Sequence, residues 1–466
     1  MDASGGERVR EDPIREENMS LVDGLQKVGS HTSAEREGRF LHRMKRWAIP
    51  PAVFLVVFAV HVLSEVKTSY DSRWSVYVAM SILAEGNTDL DEYEEVISNK
   101  GDYAIEKVNG RKYDLFPVGT PLLAAPFVGA IDICYRAVRG YGLRETLERG
   151  RTSSIERFIA SVVVAACAVL VYAIAKARRL GVWKALLLVF LFAFCTSAWS
   201  VASRALWQHG PSMLMLTLAL YLLLLAERRP NLVQFAALPL AFSYVVRPTN
   251  CVPAVILCTF VLLSYRRHFL RFVLWGMVVA VPFIVFNLVV YGRLLSVYYL
   301  PRRLVGSPHV LEALAGNLVS PARGLFVYSP VLVFALLGVV FKIRSRRIDR
   351  LDGSLTAIIL LHWLLISSFP HWWAGASYGP RFFCDVIPFF VYLLIPVLER
   401  LRRPTRGWGV VLVSTFFLLT AMSFLVHFRG AMHASVWRWN ATPIAVDQKP
   451  GRVWDWTDIP FLRREQ

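Results

Sequence analysis

The sequence predicts an all-α polytopic membrane protein of about eleven transmembrane helices, and three observations carry that prediction. Long apolar runs recur along the 466 residues, several near the roughly 20 residues needed to cross a bilayer. Only 18% of the chain is charged while 55% is hydrophobic, against about 25% charged in soluble domains. The basic residues, which give a net charge of +18, fall in short clusters between the runs. These are Lys176/Arg178/Arg179, Arg228/Arg229, Arg266/Arg267/Arg271, Lys342 to Arg350 and Arg400 to Arg406. Such spacing marks cytoplasmic loops. It also makes a poor groove for a phosphate backbone, so nucleic acid is not an expected partner. The six cysteines show no metal-ligand spacing and read as small buried hydrophobes.

Residues 1–42 are polar and lack apolar periodicity, and predict a disordered cytoplasmic tail. Arg43, Lys45 and Arg46 precede the first span, Trp47 to Val66, and place the amino end inside and Asp71 outside. From Trp74 the apolar residues Tyr77, Val78 and Ile82 recur at helical spacing with Ser75 and Ser81 off that face, which predicts an amphipathic helix in the interface. An acidic stretch (Asp89, Asp91, Glu92) follows, readable as a solvated face or as oxygen ligands for a divalent cation. Asn109-Gly110 between two short mixed runs predicts a β-hairpin. The first outer loop, about 67–153, is therefore long, polar and partly structured, with juxtamembrane helices.

Segment 116–138 carries Pro117, Pro121 and Pro126 and is expected to break or dip rather than cross. Ten further spans are expected at 154–176, 183–201, 209–226, 231–247, 251–265, 271–291, 323–342, 354–370, 383–399 and 409–428. That count keeps the basic loops together inside and leaves the tail, 429–466, outside; twelve spans is the alternative. It leaves Arg144, Arg149, Arg151 and Arg157 outside, partly balanced by Glu145, Glu148 and Glu156. No internal repeat is evident, which weakens a secondary-transporter reading.

The candidate functional residues are charges at span ends or in the outer loop. Asp71, where the chain leaves the bilayer beside Arg73 and Trp74, suits a general base; capping the following helix is its structural alternative. Lys112 could meet a phosphate, and Asp114 stands beside it before the proline-rich segment. Arg204 and Arg323 stand at span ends with guanidinium groups suited to phosphate. His209 precedes Gly-Pro at a span start, as an acid, base or hydrogen-bonding group. Arg247, Arg381 and Asp385 lie where a mid-helix charge costs roughly 2.5–3.5 kcal/mol. The spacing of Arg381 and Asp385 also allows an intrahelical ion pair. Trp372, Trp373 and Tyr378 read as an interfacial belt or as platforms for a sugar ring. Asn440-Ala-Thr442 is a glycosylation sequon.

Taken in order, these segments resemble the GT-C superfamily of integral-membrane glycosyltransferases, which includes protein O-mannosyltransferases and the bacterial enzymes that put aminoarabinose on lipid A. The resemblance covers roughly residues 47–428. It rests on Asp71-Ser-Arg-Trp74, Tyr113-Asp-Leu-Phe-Pro-Val-Gly-Thr-Pro121, Leu206-Trp-Gln-His-Gly-Pro211, Arg247-Pro-Thr-Asn250, Ser320-Pro-Ala-Arg-Gly324 and Ser377-Tyr-Gly-Pro-Arg381. It implies a polyprenyl-phosphate-linked sugar donor and an acceptor hydroxyl on a lipid, glycan or protein. Transfer would occur at the outer face of a bacterial inner membrane, with Asp71 as base and metal dependence open. Arg73, Lys112, Arg204, Arg323 and Arg381 are the cations available to the leaving phosphate. The Asp-Glu pair of many such relatives is Asp71-Ser72 here, and the large carboxy-terminal domain of the oligosaccharyltransferases has no counterpart. A transporter or flippase of lipid-linked solutes would use the same charges without bond chemistry.

Overall fold

A computed structural model describes residues 48–67, 69–301, 305–401 and 407–464. The expectations for residues 1–42, and the basic residues 43–46 and 402–406, lie outside the described residues. The chain is a polytopic α-helical protein: seven of its described helices are long and apolar enough to cross a membrane, and shorter apolar helices accompany them. Residues 48–53 form the first turns of α1 (48–63).

Helices α2 (Ser75–Ala84) and α3 (Glu94–Lys100), strands β1 (Ile105–Val108) and β2 (Arg111–Asp114), then α4 (Gly119–Arg139) and α5 (Leu143–Glu148) make up the loop region. The helices that follow are α6 (Ser153–Ala177), α7 (Val182–Phe194), α8 (His209–Ala226), α9 (Ala237–Val246), α10 (Cys251–Ser264) and α11 (Phe269–Tyr291). After α12 (Val310–Val319) and the short α13 (Leu325–Tyr328) come α14 (Val333–Arg344), α15 (Arg350–Ser367), α16 (Ile387–Leu393), α17 (Ile395–Arg400) and α18 (Trp408–Met432). Most boundaries fall within a few residues of the expected spans, but α7 ends at Phe194 rather than 201, α14 begins at Val333 rather than 323, and seven described helices rather than eleven reach spanning length.

α6 packs on α7 and α8, α8 on α9, α9 on α11, and α10 on α15. The stretch Arg381–Arg400 is almost wholly enclosed, whereas α11 and α18 leave most of their apolar surface outward. A helix apolar all round belongs either in a bundle centre or against lipid, and both cases occur here. The hairpin forms with Val108 paired to Arg111. Asn109 and Gly110 between them take positive φ, 51° and 84°, as the tight primed turn requires.

Two expectations change. α2 is no half-exposed interfacial helix: Ser75 through Ser81 are all buried, enclosed by α4 and by the residues around Tyr93, Ile97 and Leu147. Its polar positions are satisfied inside, with Ser81 donating to the Tyr77 carbonyl and to Glu92. The proline-rich segment is not broken, since α4 runs unbroken over 21 residues. Pro117 lies before the helix and Pro121 in its first turn, where no intrahelical N–H is needed; Pro126 is interior. The tail folds back as turns and 3₁₀ segments around Trp439, Val446 and Val453.

Candidate active site

A polar cleft gathers residues from six distant stretches: Asp71 with Ser75, the Phe116-Pro117 turn with Thr120, Trp207 to His209, Arg247, Tyr298, and Arg381 with Phe382. Asp71 lies on the turn joining α1 to α2. Its own N–H bonds Ser69 Oγ at 3.0 Å, and the next residue, Ser72, is tied by its hydroxyl to the buried Glu156 of α6. The cap position of α2 is Trp74, without a side-chain bond. Asp71 therefore does not cap that helix, and its carboxylate turns into the cleft.

There each oxygen has its own partner. Tyr103 Oη donates to Oδ1 at 2.8 Å, and Arg381 Nη2 pairs with Oδ2. Burial raises the Asp71 carboxyl pKa, but the Arg381 charge and the Tyr103 hydrogen bond outweigh it and hold the group below the usual range.

Arg381 sits with its guanidinium 4.4 Å from the Trp207 ring centre and donates Nε to His209 Nε2 at 3.1 Å. Arg247 Nη1 touches the same imidazole at 2.7 and 2.9 Å, and its Nε donates to Thr249 Oγ1 at 2.8 Å. Behind them lies Asp385, fully buried, with Oδ2 3.2 Å from Arg247 Nε and 3.6 Å from His209 Nδ1. Both arginines approach this ring as donors, so the imidazole serves them as an acceptor and is neutral. The result is a continuous row, Asp71–Arg381–His209–Arg247–Asp385, running from the α1–α2 turn into the helical body.

The local backbone explains why Arg381 and Asp385 part company rather than forming the intrahelical pair that their spacing allowed. Residues Arg381–Val386 are 3₁₀-helical. At three residues per turn the fourth residue on points about 120° away, so Arg381 reaches Asp71 while Asp385 reaches Arg247. A turn of π-helix at Ala198–Ala202 precedes the segment that delivers Trp207 and His209. Gly119 lets the 116–120 wall come close: a Cβ there would lie 2.7 Å from the Val245 carbonyl oxygen, two residues before Arg247.

The other candidates lie elsewhere. Arg73 donates to the Lys100 carbonyl at 2.7 Å, and Lys112 of the hairpin pairs with Glu94 at the start of α3. Asp114 is buried in a neighbouring cleft with Tyr113 and Tyr291. Burial, with the Asp71 charge adding and the Phe116 N–H opposing, pushes its carboxyl up to about 8. Arg204 donates to the carbonyls of His61 and Ser64 at the end of α1. Arg323 donates to the carbonyls of Trp373 and Gly375 and to Asn440 Oδ1. Tyr378 is buried and bonds the Val426 carbonyl at 2.7 Å. Trp372 packs on Trp454, away from the cleft. Asn440 of the sequon is buried and engaged on both amide atoms.

Sequence reasoning did not single out Tyr103, Tyr298 or Phe382. The last two join the polar cleft to an adjoining, mainly apolar one lined by Pro248, Leu365, Ile366 and Phe369. Trp207 lay inside a quoted motif, but nothing in the chain marked it as the platform for Arg381. Among the described residues no three His, Cys, Asp or Glu side chains stand together as metal ligands.

No protein-family model and no curated protein matches this sequence. Among solved structures, the chain is similar to ArnT from Cupriavidus metallidurans bound to undecaprenyl phosphate, with 16% identity and a TM-score of 0.49, over 85% of this chain and 70% of that one. It is similar also to the same protein in the apo state, with 15% identity and a TM-score of 0.48 over the same shares.

Proposed function

We propose that the chain is a membrane-embedded glycosyltransferase that moves a sugar from a polyprenyl-phosphate donor to an acceptor hydroxyl, with Asp71 as general base. One observation carries the reading. A carboxylate at the membrane-proximal turn shares a cleft with two arginines, and that cleft continues at Arg247, Tyr298 and Phe382 into an apolar one. This shape suits a ligand with an anionic head and a hydrocarbon tail. The first isoprene units would lie along Leu365, Ile366 and Phe369, the phosphate at Arg247 and Arg381, and the sugar toward Asp71 and Tyr298.

In the step itself the acceptor oxygen bonds to the anomeric carbon as its proton passes to Asp71. The bond from that carbon to phosphate oxygen breaks, and polyprenyl phosphate leaves with the electron pair and one added negative charge. Attack opposite the leaving group inverts the anomeric centre. Preplaced guanidinium groups in a water-poor cleft stabilise the departing charge far better than they would in bulk water. The positive-inside pattern supports an outer-face position for Asp71, from which a lipid, glycan or protein acceptor would enter.

The test is release of polyprenyl phosphate from a panel of lipid-linked sugars, with acceptors, by purified wild type and Asp71→Asn. Asn keeps the shape but cannot take a proton, so turnover should fall at least about a hundredfold in a folded variant. Equal turnover in both removes Asp71 from the chemistry. Binding of lipid-linked sugars without turnover across the panel favours a flippase.

A further inference from the structure

As folded, the proposed base is not free, and the charges around it restrict how a donor can enter. The row holds two arginines and two aspartates, with the imidazole between them accepting a hydrogen bond and hence neutral. It is already balanced, so a phosphate brings a charge that no spare cation awaits. One arginine must give up its carboxylate. Arg247 cannot, because Asp385 has no exposed surface and makes no hydrogen bond of its own; stripped of Arg247 it would be a bare buried charge. Asp71 can lose its arginine at lower cost. It keeps the 2.8 Å hydrogen bond from Tyr103 and retains 17% side-chain exposure. The other tethers of Arg381 do not involve Nη2: Nε donates to His209 Nε2 at 3.1 Å and Nη1 to the Ala374 carbonyl at 3.3 Å. Its stacking on Trp207 holds the guanidinium in the cleft while its terminal nitrogens change partner.

We infer that Arg381 exchanges partners during the cycle, leaving Asp71 for the donor phosphate, so that donor binding itself frees the base. This rests on the transferase reading above and specifies how its site is regulated. Oδ2 of Asp71 becomes available for the acceptor hydroxyl only when a donor is in place, while Tyr103 keeps the carboxylate in position. As the counter-charge withdraws, the proton affinity of Asp71 rises, which strengthens it as a base at the moment of need. The acceptor therefore binds productively second, and without donor the base stays clasped.

A double-mutant cycle tests the exchange by binding rather than turnover. Farnesyl phosphate, with farnesol as the uncharged control, is titrated into the full-length protein in detergent. The proteins are wild type, Asp71→Asn, Arg381→Gln and the double variant. If Arg381 must leave Asp71 to hold phosphate, Asp71→Asn tightens farnesyl phosphate by about tenfold in the wild-type background, the coupling expected of groups in contact. In the Arg381→Gln background the same change should alter affinity by less than about twofold. An equal gain in both backgrounds is only the field effect of deleting a negative charge, and it overturns the exchange while leaving the donor reading standing. No gain in the wild-type background overturns it likewise. If no variant prefers farnesyl phosphate to farnesol, the donor reading falls and the exchange with it. Should Arg381→Gln fail to fold, Arg381→Lys replaces it in the cycle, since a single ammonium cannot reproduce the guanidinium contacts.

Discussion

The buried pair Arg247–Asp385 offers a way to separate what the cleft needs for stability from what it needs for function. At the 3.2 Å separation of Nε and Oδ2, two unit charges attract by about 5 kcal/mol with an effective dielectric of about 20. That attraction offsets the several kcal/mol lost in taking each ion from water. Asp385→Ala removes the compensation and leaves Arg247 enclosed without a counter-ion, which should cost about 3–5 kcal/mol. Replacing both partners, as Arg247→Met with Asp385→Leu, removes the charges together and fills similar volume. Stability should return to within about 1 kcal/mol of wild type. Turnover should not return, because the double variant lacks a guanidinium at the junction of the polar and apolar clefts. A loss of at least about a hundredfold is expected for removing one preplaced charge-stabilising group. Intrinsic-fluorescence unfolding in detergent reads the first quantity, and polyprenyl phosphate release reads the second. A double variant that turns over like wild type would refute the role given to Arg247. An Asp385→Ala protein as stable as wild type would refute the charge accounting.

Other outcomes follow from single contacts. Tyr103→Phe removes one of the two bonds to Asp71, a hydrogen bond to a charged group worth about 1.5–3 kcal/mol; kcat should fall by at least about tenfold with donor KM little changed, and steady-state kinetics decide it. Gly119→Ala would drive a methyl to 2.7 Å from the Val245 carbonyl oxygen, costing about 1–3 kcal/mol and raising donor KM; an unchanged melting temperature would show that the wall has slack. Asp114 titrates at about 8 in the folded protein against an ordinary 3.8. Between those values the folded chain holds the extra proton, so its contribution to stability is complete below about pH 4 and is lost as pH rises toward 8. Asp114→Asn removes that dependence, and its stability advantage over wild type should therefore grow from pH 5 to pH 9. Parallel melting-temperature profiles for the two proteins would refute it.

Much of the helical architecture was legible in the chain because its causes are local. Apolar runs of sufficient length, ended by glycine, proline or basic clusters, form spans wherever they lie, and Asn109-Gly110 accepts the positive φ of a tight hairpin in any context. Asp71, His209, Arg247, Arg381 and Asp385 were also visible as candidates, since a charge near a span is costly and draws attention wherever it occurs. What those charges touch was not visible. Asp71 and Arg381 are 310 residues apart, and the five groups form one row only through the packing of α8, the 381–386 turn and the α1–α2 turn. Arg204 and Arg323, alike in sequence to Arg247 and Arg381, instead bind main-chain carbonyls, because helix ends and loops happen to leave acceptors beside them. The buried state of α2 came from what encloses it, not from its own periodicity. A 3₁₀ rather than α geometry at Arg381–Val386 then sent two charges four residues apart to different partners. Sequence determined which segments enter the membrane and which charges accompany them. Tertiary structure alone decided which charges meet, because an ion pair depends on distance and enclosure, and neither is a property of any stretch by itself.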